Sequence, residues 1–387
     1  MSGMTRHTSS FVGTACMRAL SAAVVAATFV TATPRVYHAQ GSPDRVVARD
    51  SSARMERIAD GVYAIIHDAA TENWPHGNTG VIVGTDGVLV IDSNYLPVRA
   101  TQDIALIRRV TQLPVRYLVN THWHGDHMHG NGAYRDAFPG IAIIGPQASA
   151  YFIAMNQEKL PKGALAPNSF NRTTLARLEA TLASGKDSTG RALTADERAR
   201  LTRNVVRRRV ELEELAKVKV VPPNVQFERE LTLDLGNRRV EVRDRGPANS
   251  PNDVTIYLPA ERVLFTGDIL VHPLPYAFGV WPLPWIDVLR ELEALPVSAL
   301  VPGHGPVMAD HGYTRLVRET LDAMRSRVDS LFRQGLNMAQ APPVVDMRDF
   351  RTRFVTSDGT SISEATWTAW TRNLAEQMVQ CVHGYRC

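Results

Sequence analysis

The stretch Thr121-His122-Trp123-His124-Gly125-Asp126-His127 places three imidazoles and a carboxylate within six residues, with His129, Gly130 and Asn131 directly behind. Imidazole nitrogen and carboxylate oxygen are the donors that hold borderline divalent cations. No cysteine lies nearby, so zinc is the leading candidate. His122 and His124, two apart on one turn, can point at one ion. Asp126 and His127 can point at a second, and two-metal hydrolases hold their ions ~3.5–4 Å apart. The apolar run Tyr117-Leu118-Val119 just before the cluster reads as a buried strand of a parallel sheet. The chemistry therefore sits past the C-terminal end of a strand, where open α/β sheets place their ligands. Buried alone, such a cluster is costly, because its polar atoms need partners; a metal partners all of them.

At these residues the chain resembles the metallo-β-lactamase superfamily, whose signature is His-x-His-x-Asp-His. Phe265-Thr266-Gly267-Asp268 and Pro302-Gly303-His304-Gly305 follow in the order of that family's later motifs. The resemblance spans roughly 58–308 and implies a four-layer αββα sandwich. It also implies that Asp268 bridges two ions and that His304 completes the second position. One station departs from the pattern: Asn249 stands where a third histidine of the first metal position is usual. A neutral amide is a weaker ligand than imidazole, so the expectation is one tightly held zinc ion and a second, weaker one.

Other polar residues are less specific. His129 reads as a hydrogen-bonding neighbour of the ligands or a simply exposed side chain, and His76, in Trp74-Pro75-His76-Gly77-Asn78, as an ordinary loop histidine before one at the mouth of the site. His272, Tyr276, Trp281 and Trp285 lie in a Pro-rich stretch that suits either a substrate wall or core packing.

The elements that position the motif follow from periodicity. β-branched runs at 62–67, 80–83 and 88–92 read as strands, with Gly84-Thr85-Asp86-Gly87 as a hairpin turn. A helix follows over 98–110, Pro114 opens the motif strand, and a short strand covers 142–144. From about 147 to 217 strand signals vanish, and helices are expected at 171–182 and 194–216. The second opens on the capping box Thr194-Ala195-Asp196-Glu197. This helical insertion either lids the site or only covers the sheet. Strands resume at 231–233, 239–242, 254–258 and 263–265, with helices at 285–295, 313–332 and 361–379. The organisation expected is α/β: a signal peptide over 1–39, a linker over 40–54 with regular structure from about Gly61, a hydrolase domain over 55–335, and a C-terminal helical extension over 336–387.

The 387 residues are 44% hydrophobic with a formal net charge of +4, which gives no broad polyanion-binding surface. The basic run Arg207-Arg208-Arg209 has Glu211, Glu213 and Glu214 close behind, and reads as a solvated helix face rather than a nucleic-acid site. Cys381 and Cys387 lie six apart at the C-terminus and suit a small disulfide loop in an oxidising compartment. The function expected is an exported, periplasmic or secreted, zinc-dependent hydrolase acting on a small molecule. Asp126 orients hydroxide generated at the metal for attack on an ester, thioester, lactone, lactam or phosphoester. The alternatives are a true β-lactamase, an iron oxidoreductase or a non-catalytic metal-binding module. The uncharged stretch Ala19–Ala32 follows Arg6 and Arg18 and is short for a membrane span, so no stable membrane insertion is expected after cleavage. Mass spectrometry of protein from the native host should find an N-terminus between Thr33 and Ser42; an intact Met1 on the exported or membrane-bound form contradicts export by cleavage.

Overall fold

A computed structural model describes residues 45–387, apart from 51, 68–75, 157–158, 357–358 and 384–386. The signal-peptide expectation, the first residues of the linker and the Trp74-Pro75 pair lie outside the described residues.

Two sheets carry the domain. The first runs in chain order through β1 (Val46–Arg49), β2 (Ala53–Ala59), β3 (Val62–His67), β4 (Thr79–Val83), β5 (Val88–Ile91), β6 (Val115–Val119), β7 (Ala142–Pro146) and β8 (Val225–Phe227). Pairing is antiparallel up to β5 and parallel from β5 to β8. The second sheet contains β9 (Glu230–Asp234), β10 (Arg239–Asp244), β11 (Val254–Leu258), β12 (Val263–Phe265) and β13 (Ala299–Val301), in the order β13-β12-β11-β10-β9. Its only parallel pair is β12 with β13.

Strand alternation explains why the sheets stack. Val62, Ala64 and Ile66 of β3 and Leu89 and Ile91 of β5 pack with Val254, Ile256, Leu258, Val263 and Phe265 of the second sheet, forming the core between the sheets. The intervening residues point the other way. Tyr63, Ile65, Val88 and Val90 meet Ala100, Ile104 and Ile107 of α1 (Pro97–Ile107). Because side chains alternate faces, a strand apolar at every position needs cover on both sides, which helices supply. Two short helices after the motif strand, α2 (Gly125–Met128) and α3 (Asn131–Ala137), add Tyr134 to this outer layer.

After β7 the chain leaves the sheets through α4 (Gln147–Asn156), α5 (Lys159–Leu165), α6 (Phe170–Ser184) and α7 (Ala195–Leu215). Ser169 caps α6, and the expected capping box opens α7, with Thr194 and Glu197 exchanging hydrogen bonds of 3.2 and 2.8 Å. On the second sheet's outer face lie α8 (Pro282–Glu293), α9 (Gly312–Arg333), the single turn α10 (Arg348–Arg351) and α11 (Glu364–Val382). Trp367, Leu374 and Met378 of α11 join Trp285, Leu289 and Leu321 in one core cluster, so the chain beyond residue 336 packs into the outer helical layer. Cys381 and Cys387 are joined as a disulfide. The architecture is the expected four-layer αββα sandwich with a helical insertion and C-terminal helices.

Several expectations need correction. The linker does not extend to Arg54, nor does regular structure wait for Gly61, because β1 and β2 form the sheet's first two strands. Edge strands with one wet face carry few apolar residues, and Val47 is itself exposed. The insertion begins with two helices, α4 and α5, that periodicity did not reveal; Tyr151, Phe152 and Met155 of α4 are exposed, which erases its amphipathic stripe. The strand β8, only three residues long, was also not anticipated. Nor is the arginine run uniformly solvated. Arg208 is buried against Glu211 at 2.7 Å, whereas Arg209 stays exposed beside Glu179. Among the described residues, no helix is long and apolar enough to cross a membrane.

Candidate metal centre

Four strand ends deliver the site. Asp92 follows β5, the histidine motif follows β6, Asp268 sits on a 3-10 turn (Gly267–Ile269) after β12, and His304 follows β13. β5/β6 and β12/β13 are parallel pairs, so their C-terminal ends coincide and their loops meet. Two backbone bonds tie the later loops together: Gly303 N–H donates to Gly267 O at 2.8 Å and Thr266 N–H to Val301 O at 3.0 Å. Gly303 is required there, because a β-carbon would lie 2.0 Å from Asp268 Oδ1.

Six of the seven expected ligands form two groups. Asp126, His127, Asp268 and His304 bring one donor atom each within 4.8 Å of one another, and so do His122, His124 and Asp268. Asp268 belongs to both. Its Oδ1 lies 3.2 Å from His127 Nε2 and 3.4 Å from His304 Nε2, while Oδ2 lies 3.6 Å from His122 Nε2. Asp126 Oδ2 lies 3.2 Å from His304 Nε2. Asn249 is buried on the loop that joins β10 to β11, and neither its amide oxygen nor its amide nitrogen has a partner within the protein. That loop meets the motif through the Val254 N–H, which donates to Thr121 O at 2.8 Å.

The donor chemistry fits a divalent cation. His127 Nε2 and His304 Nε2 face each other at 3.3 Å. His122 Nε2, Asp126 Oδ2 and both Asp268 oxygens are buried without a well-formed hydrogen bond in the protein. Leaving such atoms unsatisfied costs several kcal/mol in all, at about 1–3 kcal/mol each, and a cation satisfies them together. The electrostatics are correspondingly polarised. Burial and the neighbouring His127 and His124 push His122 well below the usual histidine range. Burial would also lower His127, but the carboxylates of Asp268, Asp92 and Asp126 prevail and raise it. Burial acts against the charged forms of Asp126 and Asp268 as well; the surrounding histidines, His127 first, nonetheless hold both below the usual carboxylate range.

Asp92, which sequence reasoning left as the end of a strand, sets the histidine tautomers. Its Oδ2 accepts from His127 Nδ1 at 2.7 Å and from the Thr121 hydroxyl at 2.8 Å, and its Oδ1 accepts from Thr121 N–H at 2.8 Å. With its proton given to Asp92, Thr121 Oγ1 is left to accept from His122 Nδ1, 3.0 Å away. Both imidazoles then turn a lone-pair Nε2 towards the cluster, so one carboxylate orients a histidine in each group. The signal was available: a carboxylate straight after four buried apolar residues must find donors. Gly77 and Asn78 were missed for lack of any such signal. A β-carbon on Gly77 would lie 2.7 Å from His127 Cε1, and Asn78 Nδ2 donates to Pro302 O and Gly305 O at 2.9 and 2.8 Å, clamping the His304 loop.

A cavity of about 380 Å³ opens onto this centre. His124, Asp126 and His129 line it together with Tyr95, Trp123, Phe170, Asn171, Tyr276 and Phe278. The insertion therefore does more than cover the sheet, since Gly163, Ser169, Phe170 and Asn171 all belong to it. His129 is buried and stacks on Tyr95, 5.6 Å between ring centroids, outside both ligand groups. His76 packs near His67 and Tyr95 without lining the cavity. The Pro-rich stretch divides: Tyr276 lines the cavity, whereas Trp285 is core and donates to Ile269 O at 3.1 Å, and His272 packs on Tyr313.

The family model described as the Metallo-beta-lactamase superfamily matches residues 73–331, and the chain belongs to that family. A linear primary-alkylsulfatase of a Pseudomonas species is 22% identical over 252 residues, covering 63% of this chain and 44% of that protein. The chain thus spans under half the length of this curated relative. Among solved structures, a double mutant of the sec-alkyl sulfatase PisA1 superposes with a TM-score of 0.53 at 15% identity, covering 85% of this chain and 50% of the other. A metallo-beta-lactamase from Pontibacter korlensis gives 0.48 at 16% identity, covering 70% of this chain and 99% of its own.

Two predictions follow from the ligand geometry. Asp92→Asn should weaken zinc binding about 10–100-fold, read by competition with a chelator, while circular dichroism stays unchanged; undiminished affinity removes Asp92 from the orienting role. Calorimetric zinc titration should resolve one tight and one weak event, because Asn249 offers only an uncharged amide, and Asn249→His should tighten the weak one. Two equally tight ions, or no tightening on substitution, would place Asn249 outside the first metal position.

Proposed function

We propose that the protein is an exported zinc-dependent hydrolase that cleaves an ester-type bond in a small molecule. The observation that carries this reading is the pair of buried ligand groups sharing Asp268 at the floor of a cavity large enough for substrate. His122, His124, Asp268 and Asn249 would hold one ion, and Asp126, His127, His304 and Asp268 the other. Bound zinc ions supply water made acidic enough to ionise near neutral pH, and they polarise the oxygen of the bond under attack.

The chain's own residues do the rest. Asp126, whose Oδ2 has no hydrogen-bond donor in the protein, faces the cavity and is placed to orient the attacking water and accept its proton. Asp92 and Thr121 keep His127 and His122 in the tautomers a metal needs. Tyr95 and Tyr276 line the cavity beside Asp126, and their low exposure keeps part of its wall dry, which strengthens the electrostatic interactions there. No serine or cysteine nucleophile is called for. Export is supported by the uncharged segment after Arg18 and by the Cys381–Cys387 disulfide, which suits an oxidising compartment. Relatives whose names denote alkylsulfatases favour sulfate esters beside carboxylic esters within the substrate range.

The test is a hydrolysis panel of carboxylic, thio-, phosphate and sulfate esters, lactones and lactams on purified protein, with metal content measured on the same sample. Turnover of at least one class, abolished by chelation and restored by zinc, is expected. Asp126→Asn should then lower kcat by about 10²–10⁴-fold with the fold intact; a variant keeping more than about a tenth of the rate rules out the proton-handling role.

A further inference from the structure

The walls of the cavity say what the non-reacting part of the substrate is made of. Its ionisable residues are His124, Asp126 and His129 of the motif segment and the phenols Tyr95 and Tyr276, and no lysine or arginine is among the described residues that line it. The insertion's Arg208 has its guanidinium 6.0 Å from the Phe170 ring, and its charge is already paired although its Nε has no acceptor. Arg208 is buried, pairs with Glu211 at 2.7 Å and donates to Asn171 Oδ1 at 3.3 Å, while Asn171 donates to the Tyr95 hydroxyl at 3.2 Å. Trp123, Phe170 and Phe278 give the remaining walls their apolar character.

The apolar surface continues outward. Phe152 of α4 sits with its ring 4.5 Å from that of Trp123, and Tyr151 and Met155 lie on adjoining positions of the same helix. Tyr151, Met155, Phe170 and Phe278 are 68%, 61%, 63% and 50% exposed, so both α4 and the cavity wall present large apolar side chains to water. Continuity with the cavity, and through it with the ligand groups, names the occupant of this surface as substrate. A second charge on that substrate would enter a site with no counter-ion and lose its hydration, whereas each buried methylene gains transfer free energy.

Resting on the hydrolase reading, we infer that the substrate is an amphiphile: one hydrolysable polar group joined to an uncharged, chain-like or aromatic apolar body. That body lies between Trp123, Phe170 and Phe278 and extends over α4. For a carboxylic ester, each turnover adds water across the acyl C–O bond and releases the acid and the alcohol. For a sulfate ester, water adds across the ester and releases sulfate and the alcohol.

The experiment uses the zinc-loaded full chain with 4-nitrophenyl acetate, butanoate and octanoate, the 4-nitrophenyl monoester of octanedioic acid, and octyl against ethyl sulfate. The result expected is a rise in kcat/KM of about threefold per methylene, carried by KM, in whichever ester class is turned over. The terminal carboxylate should cost at least tenfold. Phe170→Ala, a change at a solvent-facing position, should flatten this dependence, while Val344→Ser at a remote exposed apolar site should leave it unchanged. Calorimetric binding of octanoate against butanoate and octanedioate gives the same comparison without turnover. If no ester is cleaved but octanoate still binds at least tenfold more tightly than either comparator, the hydrolase reading fails and the amphiphile site stands. A flat chain-length dependence in binding and turnover, or an octanedioate as good as the octanoate, overturns the inference.

Discussion

Two carboxylates and four imidazoles cannot share a buried site unless something reconciles their charges, and the rest of the structure is arranged around that constraint. Asp126, Asp268, His122, His127 and His304 are all buried, and the protein itself provides few donors for their inward-facing atoms. Unsatisfied groups of this kind normally select against a fold. Here they are concentrated where four strand ends meet, which lets one small cation satisfy atoms from both sheets. The cost of assembling the donors is met by the hydrophobic contacts of the strands behind them, from Val62 to Val301.

Positioning is then a matter of rigidity. Asp92 adopts a positive φ of 60° at the end of β5, which turns its carboxylate back towards Thr121 and His127. Asn78 and the glycines at 77 and 303 let separate loops approach within contact of the ligands. Behind Asn78, His67 Nδ1 donates to Gly77 O at 2.7 Å and its Nε2 meets the buried Asp103 at 3.1 Å, with Arg99 pairing both Asp103 and Asp50. This network runs from the metal centre to the outer helix α1. Few of its members can move without disturbing the others, which is the condition for a preorganised site.

The outer half of the cavity is built differently. Its walls come from α5, from the start of α6 and from the loop carrying Tyr276 and Phe278, and Phe170 and Phe278 among them are exposed. The inner ligands belong to strand ends that the whole sandwich fixes, whereas the outer wall belongs to an insertion that packs on the site through Tyr95, Leu96, Leu215 and Val218. On the proposed function, reaction type is tied to the sandwich and substrate preference to the insertion. A common fold hosts different chemistries in this way.

Much of this was legible in the chain alone because it is encoded locally. The spacing of His122, His124, Asp126 and His127 reports a metal by itself, and the order of Asp268 and His304 behind it identifies the family. The buried strands and the long helices announce themselves through apolar runs and the Thr194 capping box. What sequence left undecided is non-local. Nothing near residue 92 states that its carboxylate will reach across to Thr121 and His127. Nothing near residue 170 states that its ring will stand over a site assembled from residues 124, 126 and 276. Short or half-exposed elements such as β1, β8 and α4 escaped for a related reason, since their pairing and packing partners, rather than their own periodicity, stabilise them. The candidate ligands were named by side-chain chemistry written in the chain; their orientation, the cavity and its apolar wall were decided only when distant segments were brought into contact.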